Sequence, residues 1–186
     1  MLYWDKRIDF KLKENEAIDF YLQYGEYIND YIRFPDKLDS NYVPYFVSFL
    51  QYLDKAIAKS TINLFCFREI CYSQKVEHKP TLFRGLSGEF ASDLVKAVEN
   101  GMDLIEDLAY VSFTYDKETA LSHANKYKNG IRVILVKDCY PFEKVLFIGG
   151  KQFEIIYPRD TKWKVLDIES KERDDGTIAF IYVERV

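Results

Sequence analysis

The feature that most constrains the fold is a change of pattern near residue 80. Before it, apolar side chains recur three and four residues apart, which predicts helices from Ala17 to Pro35, from about Pro44 onward, and over Asn63–Tyr72. After it come short β-rich segments: TLFRGL, AYVSFTY, IRVILVK, EKVLFI, QFEIIY, KWKVLDI and TIAFIYV. We therefore predict a single α+β domain spanning the whole chain, with a helical part at 1–79 and a β-rich part at 80–186.

Two helices and a hairpin are predicted within the β-rich part. One helix covers about Ala91–Glu99 and ends at Asn100-Gly101. Asp116 is placed to cap a second helix that runs through Ala124. The sequence Asp174-Asp175-Gly176 is typical of a tight turn and predicts a hairpin between the last two strands. These signals favour a mostly antiparallel sheet.

Composition and charge exclude several classes of protein. Charged residues make up 30% of the chain and hydrophobic residues 48%, which is typical of a globular protein and not of a disordered one. A net charge of -4 argues against bulk binding of nucleic-acid phosphates. The charged N-terminus lacks the apolar segment of a secretory signal peptide, and no run approaches membrane-spanning length. We expect a cytoplasmic monomer, in the producing cell or in a host or target cell.

The sequence gives little sign of metal chemistry or of other hydrolytic chemistry. Cys66, Cys71 and Cys139 have no metal-type spacing, so we expect buried thiols and no metal. Asp103 and Glu106 have the composition of a glycosidase carboxylate pair, but a solvated turn is the simpler expectation.

Polar side chains interrupt three of the predicted strands. Arg84 lies among apolar neighbours and is followed by Gly85; either an internal ion pair or a bound anion accounts for such an arginine. Gly85 has no side chain and would allow backbone or a ligand to come close. Ser112 and Thr114 share one strand face, opposite Val111 and Phe113, and a solvated face is the simplest explanation.

The third polar interruption pairs an amide with a carboxylate. Gln152, Glu154 and Ile156 share one face of QFEIIY, opposite Phe153, Ile155 and Tyr157. The amide and the carboxylate then lie roughly 7 Å apart along the strand. An exposed edge strand would explain them, but Gly149-Gly150 just before the strand favours a loop that meets a ligand.

The order Arg, then Ser-x-Thr before a helix, then Gln-x-Glu resembles the R-S-E class of mono-ADP-ribosyltransferases. The similarity covers about Thr81–Leu166, and QFEIIYPRDTKWKVL, YVSFTYDKETALSHA and LFRGL carry it. The Gln-x-Glu form is similar to the Rho-modifying exoenzymes of that class. The resemblance implies a split antiparallel β-sandwich with a helical N-terminal half, an NAD substrate and no metal. Phe113 departs from the family, which often has threonine there.

The resemblance also implies roles for these residues. Arg84 would bind the NAD diphosphate, with Gly85 and Thr114 beside the nucleotide. Ser112 would hydrogen-bond the nicotinamide ribose and hold the catalytic carboxylate, Glu154. This chemistry is physically reasonable, because nicotinamide leaves as a neutral molecule and a carboxylate stabilises the positive charge that grows on the ribose. No metal is needed for this stabilisation.

Gln152 stands where arginine-modifying relatives carry a glutamate. An amide cannot take a proton from a guanidinium, so we predict a non-arginine acceptor of the Asn, Gln or Thr type. The segment from Phe147 through Gly149, Gly150 and Lys151 would recognise the acceptor, with Phe147 or Phe153 as an aromatic contact. The acidic net charge favours a target-cell protein over a nucleic acid as the acceptor.

Two alternatives remain open at this point. One is an NAD glycohydrolase, in which water takes the ADP-ribose. The other is an inactive nucleotide- or partner-binding module of the same fold, which the altered Ser-Phe-Thr motif allows. The compact length and the lack of a secretion signal fit a viral or phage protein, or an injected toxin or effector.

Overall fold

The computed structural model describes residues 14–126, 131–148, 153–173 and 176–186. The helices in this part of the chain are α1 (Glu14–Arg33), α2 (Val43–Lys59), α3 (Leu64–Gln74), α4 (Glu89–Glu99) and α5 (Lys117–Ala124), and short 3-10 turns at Pro35–Lys37 and Ser40–Tyr42 join α1 to α2. The strands are β1 (Thr81–Leu86), β2 (Leu104–Asp107), β3 (Val111–Thr114), β4 (Arg132–Asp138), β5 (Leu146–Ile148), β6 (Glu154–Tyr157), β7 (Thr161–Arg173) and β8 (Gly176–Arg185).

The local signals for helix ends are confirmed. Asp116 caps α5, because its carboxylate accepts a hydrogen bond from the Thr119 backbone N–H at 3.0 Å. Asn63 caps α3 in the same way, through the backbone N–H of Cys66. Gly101 follows α4 with a φ of +95°, a conformation that glycine adopts without strain. The part of the chain that the structure describes has no helix that combines the length and apolarity needed to span a membrane.

The sheet contains eight strands in the order β2-β7-β8-β4-β1-β3-β6-β5. Neighbouring strands are antiparallel except β4 and β8, which are parallel. Strand β2 was not predicted: the sequence indicates a solvated turn near Asp103 and Glu106, but Leu104–Asp107 pairs with β7 as an edge strand. β7 and β8 pair up to Arg173 and Gly176, whereas Asp174 and Asp175 of the predicted turn lie outside the described residues.

The sheet folds over on itself and encloses the main core. Trp163 of β7 contacts Phe113 of β3, with ring centroids 5.1 Å apart, and Tyr157 of β6 at 4.9 Å. Three strands separate β7 from β3 in the sheet order, so these contacts require the two halves to face each other. Phe113 therefore points into the core, on the opposite strand face from Ser112 and Thr114.

Three helices, α1, α2 and α5, cover faces of the sheet outside the main core. α1 and α2 pack on Tyr110, Leu146 and Ile156 in a second apolar cluster, whereas α3 and α4 add to the main core. α5 packs on β1 and β4 in a third cluster around Ile134. β6 lies between β3 and β5 in the sheet, and the side chains of Ile155, Ile156 and Tyr157 are fully buried. β6 is therefore not an exposed edge strand, which was one explanation for the polar residues in QFEIIY.

β1 and β3 pair at one position only and then separate. β1 pairs with β4 along its whole length, but with β3 only at Phe83 and Thr114. At the closed end, the Gln74 amide donates to the carbonyls of Thr81 and Tyr115, and its oxygen accepts from the Thr81 backbone N–H at 2.7 Å. Beyond the single pair, a gap opens between the outer half of β1 and the start of β3.

We expect Gly85→Ala to destabilise the protein by about 3 kcal/mol or more, at the upper end of overpacking effects. A Cβ at this position would lie 1.9 Å from the Ala120 backbone oxygen of α5, so the helix would have to move. Urea unfolding measures the change. Gly101→Ala is the control, because its Cβ meets nothing within 4 Å and only its φ of +95° opposes alanine, at about 1 kcal/mol. Equal losses in both variants would contradict close packing at Gly85.

Candidate active site

One side of α1 faces the gap and forms hydrogen bonds with the segment between the end of β2 and the start of β3. Arg33 binds Asp107 at the end of β2 through its Nη2 and Nε atoms, with Nη2 2.9 Å from Oδ2. Asn29 makes two hydrogen bonds to the backbone of Tyr110, and the Tyr21 hydroxyl lies 3.5 Å from the Ser112 Oγ. The helix therefore forms a wall of the gap and covers the face of β3 that carries Ser112.

Arg84 extends from β1 into this gap. Its side chain is 17% exposed, and its Nη2 lies 3.7 Å from the Asp107 carboxylate. Its Nη1 is buried and has no hydrogen-bond partner among the residues that the structure describes. Burial lowers the pKa of the Arg84 guanidinium, and the negative charges of Asp107 and Glu154 oppose that shift.

The internal ion pair that was one explanation for Arg84 is present, but it is shared. Both oxygens of Asp107 already accept hydrogen bonds from Arg33, and Oδ1 also accepts from the Ala109 backbone N–H at 3.0 Å. Two guanidinium groups thus meet one carboxylate, so Asp107 alone does not neutralise both cations. Such an arrangement favours the binding of an anion between or beside the arginines.

Ser112 and Thr114 lie on one face of β3, but that face is not solvated. Thr114 is buried, and its Oγ1 accepts a hydrogen bond from the Asp116 backbone N–H at 3.0 Å, which holds the turn into α5. Ser112 is half-buried beneath Tyr21. The hydroxyl of Ser112 is therefore the one of this pair that faces the gap.

Glu154 begins β6 and lies directly opposite Thr114, on the strand face that Ser112 also shares. Its carboxylate acts electrostatically on both the Tyr21 hydroxyl and the Arg84 guanidinium, and it raises the pKa of each. Arg84, Ser112 and Glu154 come from three different strands: the Ser112 Oγ lies 3.5 Å from the Tyr21 hydroxyl, and the charges of Arg84 and Glu154 act electrostatically on the same hydroxyl. The residue before Glu154, Phe153, has a φ of +51°, a strained conformation for a residue that carries a side chain.

Other residues predicted for the site lie elsewhere. Gly85 packs closely against the backbone of α5, where a side chain would not fit. The need for a glycine at this position is therefore explained by packing on the helix and not by contact with a ligand. Phe147 and Phe153 are half-buried and contact Tyr115, at centroid distances of 6.0 and 5.2 Å, so neither ring is freely presented to a partner. Gln152 and the other acceptor-loop residues, Gly149, Gly150 and Lys151, lie outside the described residues.

The sequence did not identify Tyr21, Asn29, Arg33 and Asp107 as site residues. Tyr21 falls in an apolar stripe of α1, where core packing is the ordinary explanation, and it is indeed only 3% exposed. A polar residue and a basic residue one turn apart at the end of a helix, Asn29 and Arg33, were the one local signal available.

The described residues contain no cluster of three or more His, Cys, Asp or Glu side chains suited to a metal ion. Cys71 and Cys139 are buried free thiols as expected, whereas Cys66 is half-buried. Burial raises the pKa of the Cys139 thiol to about 12. A cavity of about 270 Å³ lies between α2 and the turn from β6 to β7, lined by residues that include Asp54, Lys144 and Arg159. None of the predicted site residues lines it.

Comparison with solved structures finds this fold in ADP-ribosyltransferase toxins. C3larvin toxin from Paenibacillus larvae aligns over 93% of this chain and 94% of its own, with a TM-score of 0.63 and 14% identity. The Vis toxin from Vibrio splendidus aligns over 93% and 72%, with a TM-score of 0.62 and 19% identity. The Clostridium limosum C3 exoenzyme aligns over 92% and 85%, with a TM-score of 0.60 and 14% identity.

No protein-family model and no curated protein sequence matches the chain. The predicted α+β fold of the ADP-ribosyltransferase type is thus confirmed by structure, at a level of identity that shows the fold alone.

We expect Asp107→Asn to lower the free energy of unfolding by about 1.5–3 kcal/mol, the range for hydrogen bonds to charged groups. The substitution leaves two guanidinium groups facing each other without their shared carboxylate. Glu106→Gln is the matched control, because its exposed ion pair with Lys162 is worth less than about 1 kcal/mol. Urea unfolding of both variants checks this, and equal changes would contradict the shared ion pair.

Proposed function

We propose that the protein is an NAD-dependent mono-ADP-ribosyltransferase that transfers ADP-ribose to a protein acceptor and releases nicotinamide. One observation supports the proposal: the Ser112 Oγ lies 3.5 Å from the Tyr21 hydroxyl, and the charges of Glu154 and Arg84 both act electrostatically on that hydroxyl. The structural similarity to C3larvin and the Vis toxin, both ADP-ribosyltransferases, supports it. We infer the reaction type from these structurally similar enzymes. We then ask whether the side chains around the gap have the charges and hydrogen-bonding groups that this reaction needs.

The paired arginines fit the diphosphate of NAD. A guanidinium binds phosphate oxygens through two parallel N–H groups, and Arg84 has a buried Nη1 without a partner among the described residues. Arg33 shares Asp107 with Arg84, so both cations lie where one diphosphate could meet them. We therefore add Arg33 to the proposed nucleotide site. Gly85 serves this site indirectly, because it lets β1 lie close to α5.

Glu154 and Ser112 fit the reacting end of the substrate. When NAD is bound, breaking the bond between ribose and nicotinamide leaves positive charge on the ribose. A fixed carboxylate beside that charge stabilises the transition state, and one well-placed group typically contributes about 2.7–4 kcal/mol. Ser112 would orient Glu154 and the ribose. Thr114, whose hydroxyl is engaged with Asp116, would support β3 opposite Glu154.

The acceptor would enter beside β6, where Gln152 precedes Glu154 by two residues. An amide there fits an acceptor that needs no strong base, and we propose an Asn, Gln or Thr side chain of a target protein. Phe147 and Phe153 both contact Tyr115, and we propose that these contacts support the two ends of the acceptor loop. Labelling of target-cell lysate with tagged NAD, followed by mass spectrometry of the modified residue, tests the acceptor class. Modification of arginine or of a nucleobase would contradict it.

We expect Glu154→Gln to slow nicotinamide release at least about 10²–10³-fold, because the amide keeps the shape but removes the negative charge. NAD binding, measured by calorimetry, should persist because Arg84 and Arg33 are intact. Glu172→Gln is the matched control, since Glu172 is exposed on β7 and pairs with Thr177 on β8. An active Glu154→Gln variant would overturn the proposed function.

We expect Gln152→Ala to reduce labelling of the acceptor more than it reduces nicotinamide release from NAD alone, because Gln152 is proposed to contact the acceptor. Gln51→Ala, on the exposed side of α2, is the control. Equal losses in both assays would argue against an acceptor role. Rapid nicotinamide release by the wild type without any acceptor would instead indicate an NAD glycohydrolase.

A further inference from the structure

The side chain of Asn29 is locked to the backbone of Tyr110. Its Oδ1 accepts from the Tyr110 N–H at 3.2 Å, and its Nδ2 donates to the Tyr110 carbonyl at 3.1 Å. A backbone N–H can only donate and a carbonyl can only accept, so this pair of bonds fixes which atom of the amide is nitrogen. The same Nδ2 lies 3.1 Å from the Tyr21 hydroxyl oxygen and donates to it.

The direction of the next hydrogen bond follows from the first. Because the Tyr21 oxygen accepts from Asn29, its own proton is free to be donated. The Ser112 Oγ, at 3.5 Å, is the side-chain partner that remains for this proton among the described contacts of Tyr21. Ser112 then accepts from Tyr21 and has its own proton to direct onward. The separation is long for two hydroxyl groups, and such bonds in unliganded sites often shorten when the substrate binds.

The position of Tyr21 is built into α1. Its ring packs edge-on against Tyr110, with centroids 5.3 Å apart. Gly25 follows one turn later, and a Cβ there would lie 3.2 Å from the Tyr21 Cζ atom, so the glycine leaves room for the ring. Burial raises the pKa of the Tyr21 hydroxyl, and Glu154 raises it further, so the group keeps its proton at neutral pH.

We propose that Tyr21 is a positioning residue: it donates its proton to Ser112, so that Ser112 donates in turn to the Glu154 carboxylate. The inference rests on the proposed function and adds to it the device that sets the direction of the hydrogen bond at Ser112. A serine that donates to Glu154 favours the ionised carboxylate, because a hydrogen bond to the charged form stabilises that form. Without the Asn29 donor, the Tyr21 oxygen could accept from Ser112 instead, and the Ser112 proton would turn away from Glu154.

The test is Tyr21→Phe, which keeps the ring and its packing on Tyr110 but removes the hydroxyl. We expect kcat for nicotinamide release to fall about 3- to 10-fold, the kinetic equivalent of one neutral hydrogen bond. KM for NAD should change less than about 2-fold, because the diphosphate ligands are intact. Tyr24→Phe, on the same helix and packed on Phe20, is the matched control and should behave as the wild type.

A double-mutant cycle separates positioning from general stability. In a Ser112→Ala background there is no serine proton to orient, so Tyr21→Phe should add little further loss. Full additivity of the two losses would overturn the inference, as would an unchanged kcat in Tyr21→Phe. A loss that appears mainly in KM would point to a structural effect and overturn it as well.

Two measurements separate this inference from the proposed function. If Glu154→Gln releases nicotinamide as fast as the wild type, or if neither releases any, the proposed function fails and the catalytic role of Tyr21 fails with it. If Glu154→Gln is inactive and Tyr21→Phe is normal, only the role of Tyr21 fails. NMR of protein labelled with 13C at the tyrosine Cζ atom tests the hydrogen bond directly. Ser112→Ala should shift the Tyr21 signal and leave the Tyr24 signal unchanged. An unchanged Tyr21 signal would contradict the hydrogen bond between Tyr21 and Ser112.

Discussion

The separation of β1 from β3 beyond the Phe83–Thr114 pair is the constraint on which the site depends. A continuous ladder would place Gly85 opposite Ser112 and fill the gap with hydrogen-bonded backbone. Gln74 joins the two strands at the inner end, because its amide donates to the carbonyls of Thr81 and Tyr115. At the other end, Gly85 lies close against α5, which holds the outer half of β1 on the helix and away from β3. The gap is thus a product of packing on both sides of β1, and α1 can supply polar groups to it.

The charge balance around Asp107 explains how two guanidinium groups can lie close together in the gap. Burying one guanidinium without a partner is strongly unfavourable, and burying two beside each other is worse. Asp107 makes the arrangement stable by accepting from Arg33 while remaining within 3.7 Å of Arg84. Because one carboxylate serves two cations, the arginines are held in place yet not fully neutralised. The proposed diphosphate would supply further negative charge to both arginines.

The sequence predicts the strand side of this site better than its helical side. Alternation along a strand assigns faces directly, so the orientations of Ser112, Phe113 and Glu154 were predictable from spacing. The contacts of Tyr21 and Arg33 join residues 91 and 74 positions apart, which no local pattern reveals. The aromatic and apolar stripe of α1 also has a complete explanation in core packing. β2 was missed for a related reason, since a four-residue edge strand with two acidic residues carries a weak signal.

The helical part of the chain is consequently a component of the site and not an annex to it. The family resemblance covers Thr81–Leu166, yet the partner of Asp107 and the cover of Ser112 both come from α1. α1 contacts Asp107 through Arg33 and Ser112 through Tyr21. The backbone of Tyr24 is non-helical, with a φ of -128°, so a kink in α1 separates the turn that carries Tyr21 from the turns that carry Asn29 and Arg33. A displacement of one segment alone would disturb the contact with Ser112 or the contact with Asp107, but not both directly. Asn29 lies beyond the kink and donates to the Tyr21 hydroxyl, so this hydrogen bond links the two segments across it.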